Sequence, residues 1–387
     1  MLEFSNLTLL VGPNGSGKSN VLDALRFLQG AAFDYPLGDV LRGRWEGQRQ
    51  VWPGIRGGPF EATRAGGGSF SLRTRWTIAN RTLIHKMEVK TEGEVALERE
   101  FLHEDSEGDY LFDTHAPSLG AQGGRTEGGG IRLALKGEKG GRSPVQTHSS
   151  LRSLLGQVEL KARVQERVKT AADLVRLAFR EAVFLDIRPQ LMRDYRPENG
   201  GQLGVSGENI SPVLKGLEED VRAEIIDWLS ELCAPDVVGI EFDTTALREV
   251  MMMIVEGGGR RVSARSASDG TLRFLGELVA LLIAPPGALI VLEEPDVGLH
   301  PSRIRLLAEL LERVADDHHV QVLATTHSPT LLAHLSKRAL GNVIAFGRDE
   351  KGATVCQRLK DLPHFATLAD SRNVEHLIST GWLERAL

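Results

Sequence analysis

The chain has few cysteines, few aromatic residues and no excess of positive charge. Each of these shortages argues against a class of structure or function. Only two cysteines, Cys233 and Cys356, occur in 387 residues, far apart and without the spacing of a metal site. This pattern argues against a disulfide framework and favours reduced thiols in a cytoplasmic protein. Aromatic residues make up 5% of the chain, the net charge is −6 and the pI is near 6.0. Composition therefore gives no overall sign of nucleic-acid binding, although a local basic face stays open.

Long apolar runs are also scarce. The stretch Leu278 to Leu292 is interrupted by Pro285-Pro286-Gly287 and is shorter than the roughly 20 residues that a membrane span needs. We interpret it as a helix end, a turn and a buried strand. Residues 1–4 lack the basic region of a secretory signal. We expect a cytoplasmic protein without a membrane partner, and 387 residues allow two or more compact units.

The most informative motif lies almost at the first residue. Residues 7–11 are typical of a short buried strand, Gly-Pro-Asn-Gly-Ser-Gly-Lys-Ser spans residues 12–19, and apolar side chains then recur at helical spacing. This sequence between a strand and a helix predicts a loop that binds a nucleoside triphosphate, because glycines let backbone N–H groups point at phosphate oxygens. We expect Lys18 to reach the β- and γ-phosphates and Ser19 to ligate Mg²⁺. The predicted phosphate contacts are Asn14, Gly15, Ser16, Gly17, Lys18, Ser19 and Asn20.

Two carboxylates follow a second apolar strand. Residues 288–292 are apolar, as in a parallel strand buried on both faces, and Glu293 and Glu294 come directly after them. Ligands of open α/β sheets bind at this end of the strands. We therefore expect Glu293 to lie near Mg²⁺, directly or through water. Glu294 is expected to act as the general base that polarises the attacking water. The alternative is a surface turn with two solvated acids.

His327 and the nucleotide-binding candidates Ser268, Asp269 and Gly270 complete the candidate residues. His327 follows the next apolar strand, so we expect it at the same edge, where it can donate a hydrogen bond to the γ-phosphate or position the water. The alternative is a structural histidine. Ser268-Asp269-Gly270 begins a helical pattern about twenty residues ahead of the acidic strand. A serine or aspartate at that place is also an ordinary helix N-cap.

Outside these motifs, the sequence mainly predicts the domain organisation. Alternating apolar residues in 69–102 predict antiparallel strands, and strands alternating with helices in the last third predict a parallel α/β core. The polar side of the helical region 151–184 is basic, which favours a solvated face, with a nucleic-acid contact as the alternative. The predicted divisions are an N-terminal ATPase lobe (1–102), a Gly-rich exposed insertion (103–150), a helical lobe with following strands (151–262) and a C-terminal ATPase lobe (263–387).

Together the motifs resemble the ABC-type ATPases, in the branch that contains RecF, the SMC heads and the OLD-like proteins. In that family a phosphate loop, a signature motif, an acidic strand and a switch histidine follow one another, and this chain has residues 12–19, 268–271, 293–294 and 327 in that order. The stretches 268–275 and 294–301 are similar to RecF-like and OLD-like ATPases, whereas residues 31–260 match only loosely. The resemblance implies an α/β P-loop NTPase: an ABC-ATPase head with a mixed sheet core, an antiparallel β subdomain and a helical lobe.

The resemblance also implies ATP and Mg²⁺ as cofactors and an ATP-dependent homodimer. Two heads of this family enclose two ATP molecules, and Ser268 with the Gly270 backbone of one subunit would touch the γ-phosphate held by the other. ATP binding is then coupled to subunit association.

The chain departs from the family at several positions. Asp269 replaces a signature glycine and adds negative charge near phosphate unless it turns away to cap the helix, and Glu293 replaces the usual aspartate. Relatives carry a strand pair ahead of the phosphate loop that often contacts adenine; here the start is either truncated or the sheet edge is built differently. Gln190 is the candidate for the glutamine that senses Mg²⁺.

Three functions remain open at this stage. The first is a RecF-type ATP-hydrolysing switch in DNA repair, DNA maintenance or anti-phage defence, with DNA as a candidate partner. The second is a slowly hydrolysing subunit that controls a separate effector protein, a nuclease or toxin; only 60 residues follow His327, so a nuclease is expected on another chain. The third, a transporter ATPase subunit, is disfavoured by Asn20 and by residues 293–301.

Overall fold

A computed structural model describes residues 2–64, 67–105, 109–137, 144–159, 164–232, 237–362 and 365. Its strands are β1 (Leu7–Val11), β2 (Arg44–Glu46), β3 (Arg49–Trp52), β4 (Ser69–Ile78), β5 (Arg81–Lys90), β6 (Ala96–Glu104), β7 (Tyr110–Asp113), β8 (Gly124–Arg125), β9 (Gly130–Leu135), β10 (Val145–Ser149), β11 (Val183–Leu185), β12 (Arg196–Pro197), β13 (Val237–Thr244), β14 (Glu249–Glu256), β15 (Arg261–Ser263), β16 (Leu289–Glu293), β17 (Gln321–Thr326), β18 (Ile344–Arg348) and β19 (Thr354–Arg358).

The α-helices are α1 (Lys18–Ala32), α2 (Leu37–Arg42), α3 (Gly58–Glu61), α4 (Leu154–Glu159), α5 (Glu166–Arg180), α6 (Ile210–Gly216), α7 (Glu219–Leu232), α8 (Asp269–Leu282), α9 (Pro301–Asp317), α10 (Pro329–Ala333) and α11 (Lys337–Gly341). Short 3₁₀ turns span Pro117–Gln122, Pro189–Met192 and Leu359–Asp361. None of the helices in the described part of the chain is long and apolar enough to cross a lipid bilayer.

By packing, the chain forms two units, residues 1–19 with 183–387 and residues 20–182. The main sheet of the first unit has the strand order β11-β16-β17-β1-β18-β19 over the described residues. Its strands are parallel except β19, which runs antiparallel to β18. Buried apolar side chains of helices α8 and α9 form one core cluster with those of the sheet, and each large side chain removed from water stabilises the fold by about 1.5–3 kcal/mol. The predicted parallel α/β core is confirmed.

Strand register fixes where this sheet presents its functional groups. Glu293 at the end of β16 pairs with Thr325 of β17, and Val11 at the end of β1 pairs with Thr326. The three strands run in parallel, so their carboxyl ends lie at one edge of the sheet. The loops that begin with Gly12, Glu294 and His327 therefore leave the sheet side by side, although the first and the last are more than three hundred residues apart in the chain.

The second unit is built on an antiparallel sheet with the order β10-β9-β7-β6-β5-β4, with β8 paired to β9, among its described strands. Along β4 every second residue is exposed, and the alternate residues Phe70, Leu72 and Trp76 pack on the core of the unit. Strand alternation places one set of side chains on each face, which explains the pattern that predicted these strands. Helices α1, α2, α4 and α5 also contribute side chains to this core, as does Trp52 of β3.

Residues 103–150 differ from the expected exposed insertion. They contain β7–β10, and Leu111, Phe112, Ile131 and Leu133 are fully buried. The glycines lie in the turns around these short apolar segments, so the average composition of the region hid strands of four to six residues such as β7 and β9. Residues 106–108 and 138–143 lie outside the described part of the chain.

Two arginines of the basic helix α5 form ion pairs with carboxylates of the same unit. Arg167 lies 2.7 Å from Glu104 and Arg176 lies 2.9 Å from Asp173. The pKa of the Glu104 carboxyl is held below its usual value, mainly by a hydrogen bond from Arg81 and further by Arg167, with burial opposing. These pairs involve two of the basic side chains of the helix, and its contact with nucleic acid stays a prediction. Arg163 lies outside the described residues.

Candidate nucleotide-binding site

The loop after β1 has a backbone that only glycine adopts without strain. Gly12, Gly15 and Gly17 have φ angles of +150°, +74° and +107°. A Cβ atom on Gly12 would lie 2.2 Å from the carbonyl oxygen of Phe346, and one on Gly17 would lie 2.4 Å from Oγ1 of Thr354. The glycines therefore allow the positive φ angles of the loop and also its close approach to β18 and β19.

The β18–β19 hairpin supports this loop through contacts that no local motif could have revealed. Arg348 Nε donates to the carbonyl oxygen of Gly15 at 2.7 Å, and Thr354 Oγ1 donates to that of Ser16 at 2.9 Å. Both partners are more than 330 residues away in the chain, at |i−j| values of 333 and 338. Because side chains of the hairpin donate hydrogen bonds to two carbonyl oxygens of the loop, the conformation of the loop does not depend on the loop sequence alone.

Replacement of Gly12 by alanine tests this packing. A methyl group there would meet the Phe346 carbonyl, which is backbone and cannot move aside, so we expect a loss of about 2–4 kcal/mol of stability. The matched control is Gly258→Ala, since Gly258 has a φ of +90° but nothing within 4 Å of its Cβ position. It should lose only about 1 kcal/mol. Denaturant unfolding of both variants measures the difference, and equal losses would contradict the close approach.

Lys18 is positioned as the positive group of the loop. Its side chain is buried, at 5% exposure, and Nζ donates to the carbonyl oxygens of Gly12 at 2.6 Å and Pro13 at 3.0 Å. Burial lowers the pKa of the ammonium, and the charge of Glu294 partly offsets this. Beside it, the Ser16 hydroxyl is buried and has no hydrogen-bond partner among the described residues. A buried cation, an orphaned hydroxyl and a glycine cradle fit a bound phosphate group.

The predicted metal ligands are brought together. Ser19 Oγ donates to Glu293 Oε1 at 3.5 Å, across 274 residues of sequence. Within the described residues, His, Cys, Asp and Glu side chains form no group of three or more that could hold a metal ion. Mg²⁺ in nucleotide sites takes one or two protein oxygens and fills its octahedron with phosphate oxygens and water. The pair fits such a shared site and does not form a closed protein site.

Glu294 occupies a strained backbone position. Its φ of +50° is unusual for a residue with a side chain, and its N–H donates to both the carbonyl oxygen and Oγ1 of Thr325 at 3.1 Å. Strain of this kind, about 1–3 kcal/mol, persists where surrounding bonds fix it and is common at functional sites. The carboxylate is 43% exposed, and its Oε1 lies 3.5 Å from Nε2 of His327. A solvent-accessible carboxylate held beside an imidazole can accept a proton from water.

The electrostatic surroundings of His327 favour its neutral form. Burial lowers the pKa of the imidazole from 6.5, the charge of Lys18 lowers it further, and Glu294 and Asp296 oppose both effects. A lowered pKa favours the neutral ring, which has one N–H donor and one acceptor. The interaction also places Lys18 and His327 within electrostatic reach of each other, as the predicted site requires.

Replacement of Lys18 by methionine should raise the pKa of His327, because the positive charge that disfavours the imidazolium is removed. NMR titration of the His327 ring, assigned with a His327→Gln variant, measures this. Lys215→Met is the control, since Lys215 pairs with Glu198 at 2.7 Å and is not among the causes of the His327 shift. An unchanged or lower pKa in the Lys18 variant would contradict the proximity of the two groups.

Asp296 is a residue of this edge to which the sequence motifs gave no role. Its Oδ1 accepts a hydrogen bond from Oγ1 of Thr326 at 2.8 Å, which ties the loop after β16 to the end of β17. Burial raises the pKa of its carboxyl, and the hydrogen bond from Thr326 opposes this. The only sequence signal for a role of Asp296 was its place in residues 294–301, the stretch that is similar to RecF-like and OLD-like ATPases.

The signature segment forms the N-terminus of α8. Ser268 is the N-cap, and its Oγ accepts from the N–H of Thr271 at 3.1 Å, so the capping interpretation is correct in structure. Asp269 does not cap; its carboxylate turns to Arg193, 2.5 Å away. A Cβ on Gly270 would lie 2.6 Å from the carbonyl oxygen of Gly298, so the segment packs against the loop that follows Glu294.

The remaining predicted site residues are exposed at the surface. Asn14, Gly15 and Asn20 are exposed, the first two in the loop and Asn20 on α1. Gln190 is exposed in the 3₁₀ turn Pro189–Met192, which follows β11. Its role in sensing Mg²⁺ stays a prediction.

Comparison with known proteins agrees with this geometry. A protein-family model described as "AAA domain, putative AbiEii toxin, Type IV TA system" matches residues 7–115 and 144–333. Among curated proteins no sequence match was found. A solved SMC head, bound to the C-winged helix domain of ScpA, is 13% identical over 92% of each chain, with a TM-score of 0.50.

A second solved structure, the SMC head domain from Thermotoga maritima, is 16% identical over 92% of each chain, with a TM-score of 0.39. The first likeness shows the fold, a P-loop ATPase head of the ABC type. The family match covers most of the chain and includes residues 12–19, Glu293, Glu294 and His327. The chain therefore belongs to the AAA-domain family described by that match.

Proposed function

We propose that the protein hydrolyses ATP in the manner of the RecF and SMC branch, as a homodimer whose two heads enclose two ATP molecules. The observation that carries this proposal is the convergence of the N-terminal loop with the ends of β16 and β17. Ser19 lies 3.5 Å from Glu293, and Glu294 lies 3.5 Å from His327 and within electrostatic reach of Lys18. A cation, a hydroxyl–carboxylate pair and a carboxylate–imidazole pair at one sheet edge are the groups that phosphoryl transfer to water needs.

Each group has a chemical role in this proposal. The loop N–H groups and Lys18 bind the β- and γ-phosphates, and Ser19 with Glu293 would hold Mg²⁺. The metal supplies charge neutralisation of the phosphate oxygens when bound. Glu294 orients the attacking water and accepts its proton, and the neutral His327 donates a hydrogen bond to the γ-phosphate. The fixed backbone of Glu294 keeps its carboxylate aligned during the reaction.

The proposed homodimer gives the signature segment a role. Ser268, with the Gly270 backbone, would contact the γ-phosphate of a nucleotide bound by a second copy. The contact between Gly270 and Gly298 would link that segment to the loop after Glu294. ATP then forms part of the interface and hydrolysis releases the subunits.

We infer a cytoplasmic role in DNA repair, DNA maintenance or anti-phage defence. A second function is favoured by the family description, which names a putative toxin of a toxin–antitoxin system. In that case the ATPase would be slow and would control a separate nuclease or toxin. A partner protein has a structural precedent, because the solved SMC head is bound to a domain of ScpA.

The proposal is tested by ATP turnover of the purified protein with and without duplex DNA, at low and high salt. We expect phosphate release that requires Mg²⁺. Stimulation by DNA that weakens with salt would support the DNA role. Lack of hydrolysis would contradict the proposed activity. Turnover without stimulation, together with no salt-sensitive DNA binding, would remove DNA as a partner and favour the effector model.

A further inference from the structure

A single arginine holds the segment that contains Ser268. Arg193, which follows the 3₁₀ turn Pro189–Met192, donates from Nη1 to the carbonyl oxygens of Ala264 at 2.9 Å and Arg265 at 2.7 Å. Its Nη2 donates to Oδ1 of Asp269 at 2.5 Å. The guanidinium therefore binds the loop before α8 on one side of Ser268 and the first residue of α8 on the other side.

The Arg193 guanidinium compensates the negative charge that Asp269 places in the signature segment. An unpaired carboxylate next to Ser268 would repel a triphosphate, which carries several negative charges at neutral pH. The Arg193 guanidinium faces this carboxylate directly and compensates its charge. Because the Asp269 side chain is 62% exposed, the pair adds little to stability. Its effect is on the local potential and on the orientation of the segment.

The planar fork of arginine suits this geometry. Two carbonyl oxygens and one carboxylate oxygen accept from the two terminal nitrogens of one group, and such fixed donor geometry orients its partners. The arginine lies three residues after Gln190, directly after the 3₁₀ turn Pro189–Met192. The turn with the candidate Mg²⁺-sensing residue therefore leads directly to the residue that holds the signature segment.

We propose that Arg193 is a positioning residue for ATP hydrolysis: it fixes the Ser268–Gly270 segment and neutralises Asp269, so that the segment can meet a triphosphate bound by a second copy of the chain. The inference rests on the proposed function, because it presumes that Ser268 acts on a nucleotide. It adds a residue outside the signature motif and a reason why this chain tolerates aspartate at position 269.

The test compares the steady-state kinetics of Arg193→Ala, Arg193→Lys, Asp269→Asn and the double variant Arg193→Ala/Asp269→Asn. Arg193→Ala should lower kcat about 10-fold or more and leave KM for ATP within about 3-fold, because the phosphate loop that binds ATP is untouched. Arg193→Lys keeps the charge without the fork and should fall between this variant and wild type. Asp269→Asn alone removes the carboxylate while Arg193 stays in place, and its kcat is the reference for the double variant.

The double variant separates charge from packing. Removing the carboxylate that Arg193→Ala leaves unpaired should recover part of the lost kcat, and the recovered part should shrink at high salt. The control is Arg188→Ala, since Arg188 lies on the same segment and pairs with Asp186 at 2.6 Å. It should keep wild-type kinetics. Thermal melting of all variants checks that each is folded.

Three results would overturn the inference: wild-type kcat in Arg193→Ala, a loss confined to KM, or no recovery in the double variant. If Arg193→Ala does not fold, the lysine variant decides, since wild-type kcat there would exclude a role for the fork. An inactive wild-type protein would instead contradict the proposed function itself. The two failures are therefore distinguishable in one set of assays.

Discussion

Replacement of Lys18 by methionine is expected to reduce kcat/KM for ATP by about 10³-fold. Methionine has a similar length but no charge, so the triphosphate loses the buried cation of the loop, and the carbonyl oxygens of Gly12 and Pro13 lose their donor. Isothermal titration calorimetry should show loss of ATP binding, and phosphate release should fall with it.

Two further variants complete this test. Lys18→Arg keeps the charge but is expected to remain impaired, because the bulkier planar guanidinium does not match a side chain that is 5% exposed inside the loop. Lys215→Met, which removes a lysine paired with Glu198, should be active. ATP binding of normal affinity by Lys18→Met would contradict the assignment of this loop as the phosphate site.

The second large effect is expected for Glu294→Gln. Glutamine has the same shape and the same strain at a φ of +50°, so the change removes only the proton acceptor. We expect kcat to fall about 10²–10⁴-fold with ATP binding retained. Since hydrolysis releases the subunits in this account, the variant should accumulate as an ATP-bound dimer in sedimentation experiments.

A matched carboxylate variant is available for comparison. Glu309 is an exposed residue of α9 that pairs with Arg305, and Glu309→Gln should show wild-type turnover and association. Unchanged turnover in Glu294→Gln would mean that the base lies elsewhere. Slow turnover with a protein that stays monomeric in ATP would contradict the link between hydrolysis and release.

The site could be predicted from the sequence where each part carries its own local signal. The glycine loop, the apolar strand before Glu293 and the serine cap of α8 each depend on neighbouring residues, and parallel strands then bring their ends together. Whether Ser19 and Glu293 were close could not follow from either motif alone. The register of β1, β16 and β17 decides it.

The parts that the sequence did not reveal depend on contacts between distant segments. Arg348 and Thr354 bind the phosphate loop from a hairpin near the end of the described chain, and nothing in their local sequence marks them. Arg193 holds Asp269 across 76 residues, and only the unusual aspartate hinted that a cation was needed. The strands within 103–150 were missed because their glycine-rich turns dominated the composition of the segment.

The central claim is that segments from both ends of the chain bind one nucleotide and that a second copy completes the site. A crystal structure of the Glu294→Gln variant with ATP and Mg²⁺ tests it most directly. We expect a γ-phosphate between Lys18 and His327, a metal on Ser19 and Glu293, and Ser268 of a second copy at the same phosphate. ATP bound away from Lys18, or a Ser268 segment facing solvent in an ATP-bound dimer, would contradict it.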